Sequence, residues 1–393
     1  MDHVFFEELS FIICNMKKYK DELRSILMEV STIESAEYEI SSSINVLEQA
    51  TKELKYMKRD IVEKVAIFYP TNSILYSYIL YAIIPSYYCK NIFLRPSTLS
   101  HSTTLKIHNF FNKYSNLNVK IEPIGYAEFK KKTSDAEVVV FTGNYHNSLS
   151  VQKDYPGALF LFFGSGLNPF FIGAEADIEY AAGKAVEARV FNSGQDCMCP
   201  DLFFIHRSQK KRFVKCLLQQ LNEMKMSGRM SDKVKNSNYK ELVLQAEIFL
   251  TDYQEKIVYG GQVDIDKSWI EPTVLVSDMD DMPRYEEHFT PIFNVVSYHD
   301  ASEVLNWLMD AKRLESSFGV SVFGNTDLIG PLKKHYTVAL NKTLFDMECG
   351  HQPFGGYGPK ASYVKYNDCM ESRPILISKE VNRVFNQYIM QVN

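Results

Sequence analysis

Two sheet-centred α/β lobes behind a helical N-terminal arm are what three features of this chain predict. Short runs that are apolar along their whole length recur between residues 65 and 163 and again between 202 and 341, as in strands buried on both faces of a parallel sheet. Stretches with helical spacing of three and four separate many of those runs. At 393 residues and 46% hydrophobic content, with only 18 Gly and 14 Pro, the chain can form two or three globular domains of ~100–200 residues each. No internal repeat is visible.

The elements follow in order. Phe5, Leu9, Ile12, Met16, Leu23, Leu27 and Val30 mark one face of a long amphipathic helix. Ile40, Ile44, Leu47, Thr51 and Leu54 mark a second, and both read as cover for a core. Residues 65–69 form the first strand-like run, ahead of Pro70-Thr71-Asn72 and a helix from about Ile74. Strands at 91–94, 119–121, 137–141 and 158–163 follow, with a helix at about 103–114. A second α/β unit starts near Gly164: helix 178–190, strand 202–205, helix 210–225 and a polar loop over 226–240. Strands at 273–276, 292–297, 318–323 and 338–341 complete it, with a helix at 301–314. Sheets of this kind place ligands at the carboxyl ends of their strands.

Composition excludes several classes. The 43 basic and 48 acidic residues leave a net charge of −5, against nonspecific duplex binding, and the basic residues of 52–64 carry no nucleic-acid signature. The 24 Tyr and 26 Phe argue against disorder. Seven scattered cysteines suit reduced thiols better than a disulfide framework. Residues 1–20 read poorly as a signal peptide, with Glu7, Glu8 and Asn15 interrupting them. The most apolar stretch, 74–88, is broken by Ser77, Pro85 and Ser86 and is shorter than the ~20 residues a bilayer requires. A cytoplasmic protein without nucleic-acid or membrane partners is expected.

The chemically informative segment is Phe191-Asn192-Ser193-Gly194-Gln195-Asp196-Cys197-Met198-Cys199. A cysteine just after a glycine-containing turn that leaves a helix can meet a substrate with little obstruction, and nearby charge tunes its reactivity. A packing role is the plainer account of any one cysteine. The Cys197/Cys199 pair lacks a second Cys/His cluster at zinc spacing, so no metal is expected.

Six segments, taken in order, resemble the aldehyde dehydrogenase superfamily over about residues 1–380. Residues 191–197 are similar to its F-x-x-x-G-Q-x-C, which makes Cys197 the implied nucleophile. Tyr69-Pro70-Thr71-Asn72 resembles S-P-W-N, whose asparagine donates to the oxyanion; here that is Asn72. Leu94-Arg95-Pro96-Ser97-Thr98 stands for L-K-P-S-E near the adenosine ribose, and Phe141-Thr142-Gly143-Asn144 for F-T-G-S under the pyrophosphate. In Glu287-His288-Phe289-Thr290-Pro291, similar to E-x-F-G-P, Glu287 would hold the nicotinamide ribose and Phe289 would pack near the cofactor. His351-Gln352-Pro353-Phe354-Gly355-Gly356 resembles the late P-F-G-G turn. The implied fold is a Rossmann-type nucleotide-binding lobe (1–165 with the N-terminal helices), an α/β catalytic lobe (166–355) and a tail (356–393) that packs back or aids oligomerisation.

Departures from the family pattern shape the functional expectation. Where hydrolysing members read E-L-G-G-K-x-P, residues 163–169 read Phe-Gly-Ser-Gly-Leu-Asn-Pro, which puts Phe163 at the glutamate position. A phenyl ring cannot take a proton from water, and general-base help is worth ~10²–10⁴-fold. Reduction of an activated acyl group (thioester or acyl phosphate) to an aldehyde is therefore favoured, with aldehyde oxidation to an acid and an inactive scaffold as alternatives. Arg95 for lysine and Thr98 for glutamate favour NADP, with NAD possible, because arginine can fork onto a 2′-phosphate. Asn144 and the following Tyr-His-Asn-Ser depart from the usual glycine-containing turn. Only KYMKRDI separates the helical arm from the first strand, where the family commonly inserts an assembly hairpin. Weakened or altered oligomerisation is expected, with a homodimer possible and 374–380 as a candidate exchanged strand. His146, His351, Cys199, Met198 and Cys89 read as surface or packing residues, an acyl shuttle at Cys199 being the alternative.

Overall fold

A computed structural model describes residues 3–227, 239–324 and 327–386. Most of the polar stretch 226–240, read above as a surface loop, lies outside them. The chain forms two compact units. The first comprises the residues up to Gly164, Cys349–Gly355 and the chain from Ser362 on; the second comprises Ser165–Glu348 and Gly356–Ala361.

The first unit opens with helices His3–Lys18, Lys20–Leu27, Ile33–Glu48 and Ala50–Leu54. The single helix expected over residues 5–30 is two, broken at Tyr19 (φ −109°, ψ 32°). Tyr19 leaves the helical path and stacks on Tyr114, ring centroids 5.7 Å apart, so a tertiary contact overrides a periodicity that runs on across the break. Thr32 caps the third helix through its hydroxyl oxygen, which accepts from Ser35 N.

Numbered in chain order, the strands of this unit are β1 (Val62–Phe68), β2 (Cys89–Arg95), β3 (Val119–Ile121), β4 (Val138–Thr142), β5 (Leu159–Phe163), β15 (Ser362–Tyr366) and β16 (Cys369–Glu371). They form one sheet in the order β16-β15-β5-β4-β1-β2-β3. β1 to β5 are parallel, while β15 runs antiparallel to β5 with Ser362 opposite Phe163. Successive residues of β1 serve opposite faces. Val65 and Ile67 join the core under the helical arm, and Ala66 and Phe68 pack with Phe129, Val139 and Phe141. Two covered faces explain the runs of consecutive apolar residues in β1, β4 and β5. The chain proceeds outward from β1 to β3 and then crosses to β4 on the other side of β1, which makes a topological switch point between β1 and β4.

The second unit holds β6 (Pro169–Ile172), β7 (Leu202–His206), β8 (Ile257–Tyr259), β11 (Thr273–Asp278), β12 (Ile292–Tyr298), β13 (Gly319–Phe323) and β14 (Thr337–Leu340), in the order β14-β13-β6-β7-β12-β11-β8. Only β8 is antiparallel to its neighbour. A two-stranded ribbon, β9 (Val263–Asp264) with β10 (Trp269–Ile270), accompanies it. Phe170, Phe203 and Phe293 fill one face with Ala181, Ala185 and Leu217 from the helices Ile178–Val190 and Lys210–Met226. Phe171, Phe204 and Tyr298 fill the other. The helix expected at 301–314 is again two, Ala301–Leu308 and Ala311–Leu314, because Asp310 turns out of the first and caps the second by accepting from Lys312 N.

The segment 374–380 is not a strand open to exchange. Ile375 bridges to Phe354 of the same unit, and Ile377 starts a helix, Ile377–Phe385, whose Val381 is buried in the arm-side core. Among the described residues no helix is long and apolar enough to cross a membrane.

Candidate active site

In the first unit, the carboxyl ends of β1, β2 and β4 open into a cavity of about 350 Å³. Its walls include Asn72 after β1, Arg95, Ser97 and Thr98 at the end of β2, and Thr142, Gly143 and Asn144 at the end of β4. All seven residues nominated from this half of the chain thus share one cavity at the switch point. The loop carrying Asn72 is fixed from below. The Tyr69 hydroxyl donates to Ile74 O, the Ser100 hydroxyl to Pro70 O (3.1 Å), and the buried Glu39 carboxylate accepts from Tyr76 N (2.9 Å). Ser73 follows in a left-handed conformation (φ 49°), turning the chain into the next helix.

The lining suits a phosphate-bearing ligand. It contains no carboxylate, and Arg95 is anchored by donating Nε to Ile124 O at 3.0 Å. Asn144 Oδ1 accepts from His146 N (2.8 Å) and caps the helix Tyr145–Lys153, so a helix N-terminus begins at the cavity wall. Gly143 takes φ +146°, a conformation costly for other residues. Phe163, at the end of β5, is buried and stacks on Tyr81 with centroids 5.7 Å apart.

In the second unit, Cys197 follows the helix Ile178–Val190 by way of a strained turn. Asn192 and Ser193 are left-handed (φ 45° and 56°), and Gly194 has φ +84°. A Cβ at Gly194 would lie 2.6 Å from the Thr290 carbonyl carbon, so glycine lets the turn press onto the segment holding Glu287 and Phe289. Phe289 is itself left-handed (φ 47°), an uncommon state for a bulky residue.

Two residues to which the sequence analysis gave no role hold this region. Arg189, 1% exposed, donates to Pro200 O (3.1 Å), to Asp201 (3.4 Å) and to Thr290 O. Asn168, 2% exposed, donates to Cys197 O (2.6 Å) and Gly166 O (3.1 Å) and accepts from Gly319 N (3.2 Å). Arg189 carries no signal in the sequence, being one of four charged residues in its helix, with Glu179, Lys184 and Glu187. Asn168 stands at the variable position of the E-L-G-G-K-x-P segment, where only its capacity to bridge two loops hints at a role.

Electrostatics set the state of the thiol. Cys197 is half-buried, and burial, followed by the charges of Asp196, Cys199, Glu348 and Glu287, pushes its pKa well above the ordinary thiol value. Cys199 is buried and pushed up mainly by desolvation, as a packing thiol would be. Burial also raises Glu287, whose Oε2 accepts from the Ser165 hydroxyl at 3.0 Å. His288, packed on Phe249 with centroids 4.1 Å apart, is pushed down to about 3 by burial and is neutral. Among the described residues no group of three or more His, Cys, Asp or Glu side chains could hold a metal ion.

Two largely parallel α/β sheets, one with a phosphate-compatible cavity at its switch point and one followed by a cysteine on a left-handed turn, place the chain in the α/β class of two-sheet folds. Residues 125–364 match the model of the aldehyde dehydrogenase family, and the chain belongs to that family, whose members are NAD(P)-dependent oxidoreductases. It is 28% identical over 234 residues to aldehyde dehydrogenase 1 of Entamoeba histolytica, covering 55% of this chain and 42% of that protein. With 4,4'-diaponeurosporen-aldehyde dehydrogenase of Staphylococcus aureus it shares 24% identity over 386 residues, covering 90% and 83%. The substrate-bound state of Staphylococcus aureus AldH superposes with a TM-score of 0.75 at 20% identity, over 99% of this chain and 94% of that one. Alignments with several of the relatives, the Entamoeba protein among them, span less than half of those relatives' own length.

Proposed function

We propose that this chain uses NADP(H), with NAD(H) as the lesser alternative, to reduce an activated acyl group to an aldehyde through a thioester on Cys197. The observation that carries the direction is Phe163. The position of the family's base is a buried phenyl ring stacked on Tyr81, which can neither accept a proton nor order water. An acyl group on Cys197 would then resist hydrolysis and stay available for reduction or for transfer to another thiol or phosphate.

The chain's own residues have distinct parts in this reading. Cys197 would hold the carbonyl carbon, and by resemblance to the family the Asn72 amide and the Cys197 N–H would be the donors to the negative oxygen; one such donor is worth ~3–4 kcal/mol of barrier. Arg95, Ser97 and Thr98 would receive the adenosine end of the dinucleotide, and Thr142, Gly143 and Asn144 its pyrophosphate. Glu287 and Phe289 would orient the nicotinamide half, which when bound supplies the hydride. Aldehyde oxidation is the competing reading, supported by the relatives' names.

Incubation with an acyl thioester and NADPH should yield free aldehyde and a thioester adduct on Cys197 visible by mass spectrometry, both lost in Cys197→Ala. Free acid formed from aldehyde and NADP⁺, with no turnover of thioester, would reverse the proposed direction.

A further inference from the structure

The helical arm buries one carboxyl group where its periodicity calls for an apolar residue. Glu39 is 7% exposed, beside Ile40 on the helix Ile33–Glu48. Burying a carboxyl is costly unless its oxygens meet donors. Oε1 accepts from Tyr76 N at 2.9 Å. Tyr76 is the third residue of the helix Ile74–Tyr78, and its N–H is one of those that a helix start leaves without an internal partner. The usual acceptor is the residue before the helix, here Ser73. Ser73 is left-handed (φ 49°, ψ 46°) rather than extended, and among the described residues its side chain makes no capping hydrogen bond. A carboxyl group 37 positions earlier in the chain stands in for it.

Asn72, which lines the cavity at the switch point, immediately precedes Ser73. The Ser100 hydroxyl holds the loop ahead of Asn72, at Pro70 O (3.1 Å), and Glu39 holds it behind, at Tyr76 N. The packing there is close: a Cβ on Gly350 would lie 2.8 Å from the Tyr76 hydroxyl oxygen and 2.3 Å from Val46 Cγ2 on Glu39's own helix. Without the Glu39 acceptor, Ser73 can leave its uncommon conformation, become extended and cap Tyr76 N with its own hydroxyl. That change turns the peptide unit next to Asn72 and swings its amide.

We propose that Glu39 is a positioning residue for Asn72: by capping the helix in place of Ser73, it fixes the direction in which the Asn72 amide is presented to a carbonyl oxygen. The inference rests on the reading of Asn72 as the donor to that oxygen, and ties the donor to the helical arm.

The test uses p-nitrophenyl acetate, an acyl donor that needs no cofactor and no direction of hydride transfer. Cys197 Sγ bonds the acetyl carbon, the bond to the aryl oxygen breaks, and the thiol proton leaves with p-nitrophenol. First-turnover release at saturating ester gives the acylation rate, and mass spectrometry locates the acetyl group. The full chain is compared as wild type, Glu39→Met, Glu39→Gln, Asn72→Ala and Glu39→Met with Asn72→Ala. Methionine keeps the length and bulk without the acceptor, and glutamine keeps the acceptor. Asn72→Ala should slow acylation ~10²–10³-fold. Glu39→Met should slow it ~10–100-fold, the scale of a donor misplaced by about 1 Å, and Glu39→Gln should restore it to within about threefold of wild type. Added to Asn72→Ala, Glu39→Met should cost less than about threefold, because the group it orients is gone. If the Met variant does not fold, Glu39→Asp, one methylene too short to reach Tyr76 N, replaces it with the same expectations. A Met or Asp variant as fast as wild type, a Gln variant as slow as Met, or an equal loss with and without Asn72 (the mark of a general structural role) overturns the proposal. An Asn72→Ala variant as fast as wild type, or a wild type that gains no acetyl group on Cys197, defeats the underlying reading and the inference with it.

Discussion

Replacing Asn168 with alanine removes one side chain and strands three buried partners. Cys197 O and Gly166 O lose their donor, and Gly319 N loses its acceptor. A buried polar group left unsatisfied costs ~1–3 kcal/mol, and partial relaxation of loops brings the expected total to about 2–4 kcal/mol. For a unit of this size each kcal/mol lowers the melting temperature by ~2–4 °C, so the second unit should melt about 4–16 °C lower. The Asn168→Asp variant is the sharper probe. It keeps the volume and the acceptor for Gly319 N but sets a carboxylate against two carbonyl oxygens, so it should melt at or below the alanine variant. Calorimetry gives the melting temperatures, and iodoacetamide reports in parallel whether the Cys197 turn has shifted. Melting within about 1 °C of wild type for both variants would refute the claim that this side chain ties the cysteine turn to the rest of its unit.

Three further outcomes follow from the same geometry. Arg95→Ala should weaken NADPH binding ~10–100-fold, the scale of a charge-assisted pair to phosphate, and leave NADH nearly unchanged in fluorescence titrations. Gly194→Ala places a Cβ 2.6 Å from the Thr290 carbonyl carbon at φ +84°, and should destabilise the second unit by ~1–3 kcal/mol or more in urea unfolding. Glu53, near the Ser378 hydroxyl, is raised by burial from 4.5 to about 7. The folded unit therefore keeps a proton that the unfolded chain releases, so the stabilisation present below pH 4.5 is lost as pH rises to about 7. Glu53→Gln should flatten the pH dependence of first-unit stability across that window, as measured by chemical denaturation.

What is legible in the chain and what is not follows from where each signal is stored. β1, β4, β5 and β12 are readable because both sheet faces are covered, which writes burial into consecutive residues. β6 begins at a proline and is four residues long, too short for any period. The helix Tyr145–Lys153 presents a mixed, weakly amphipathic sequence, so nothing in its spacing announces it. The breaks at Tyr19 and Asp310 depend on a partner ring and on a capping carboxylate. The cavity residues after β1, β2 and β4 are accessible as motifs because each lies within a few residues of a strand end. The electrostatics of Cys197 are not, since they arise in part from Glu287 and Glu348, which are distant in sequence.

The sheet of the first unit has a timing built into it. β5 is Leu-Phe-Leu-Phe-Phe, wholly buried, and the antiparallel neighbour that covers its outer side is β15, about two hundred residues later. While the ribosome makes the intervening chain, that apolar strand presents an unpaired edge of the kind that invites aggregation. A nascent polypeptide stalled before residue 362 should therefore be a chaperone client, and release of the final segment should end that dependence.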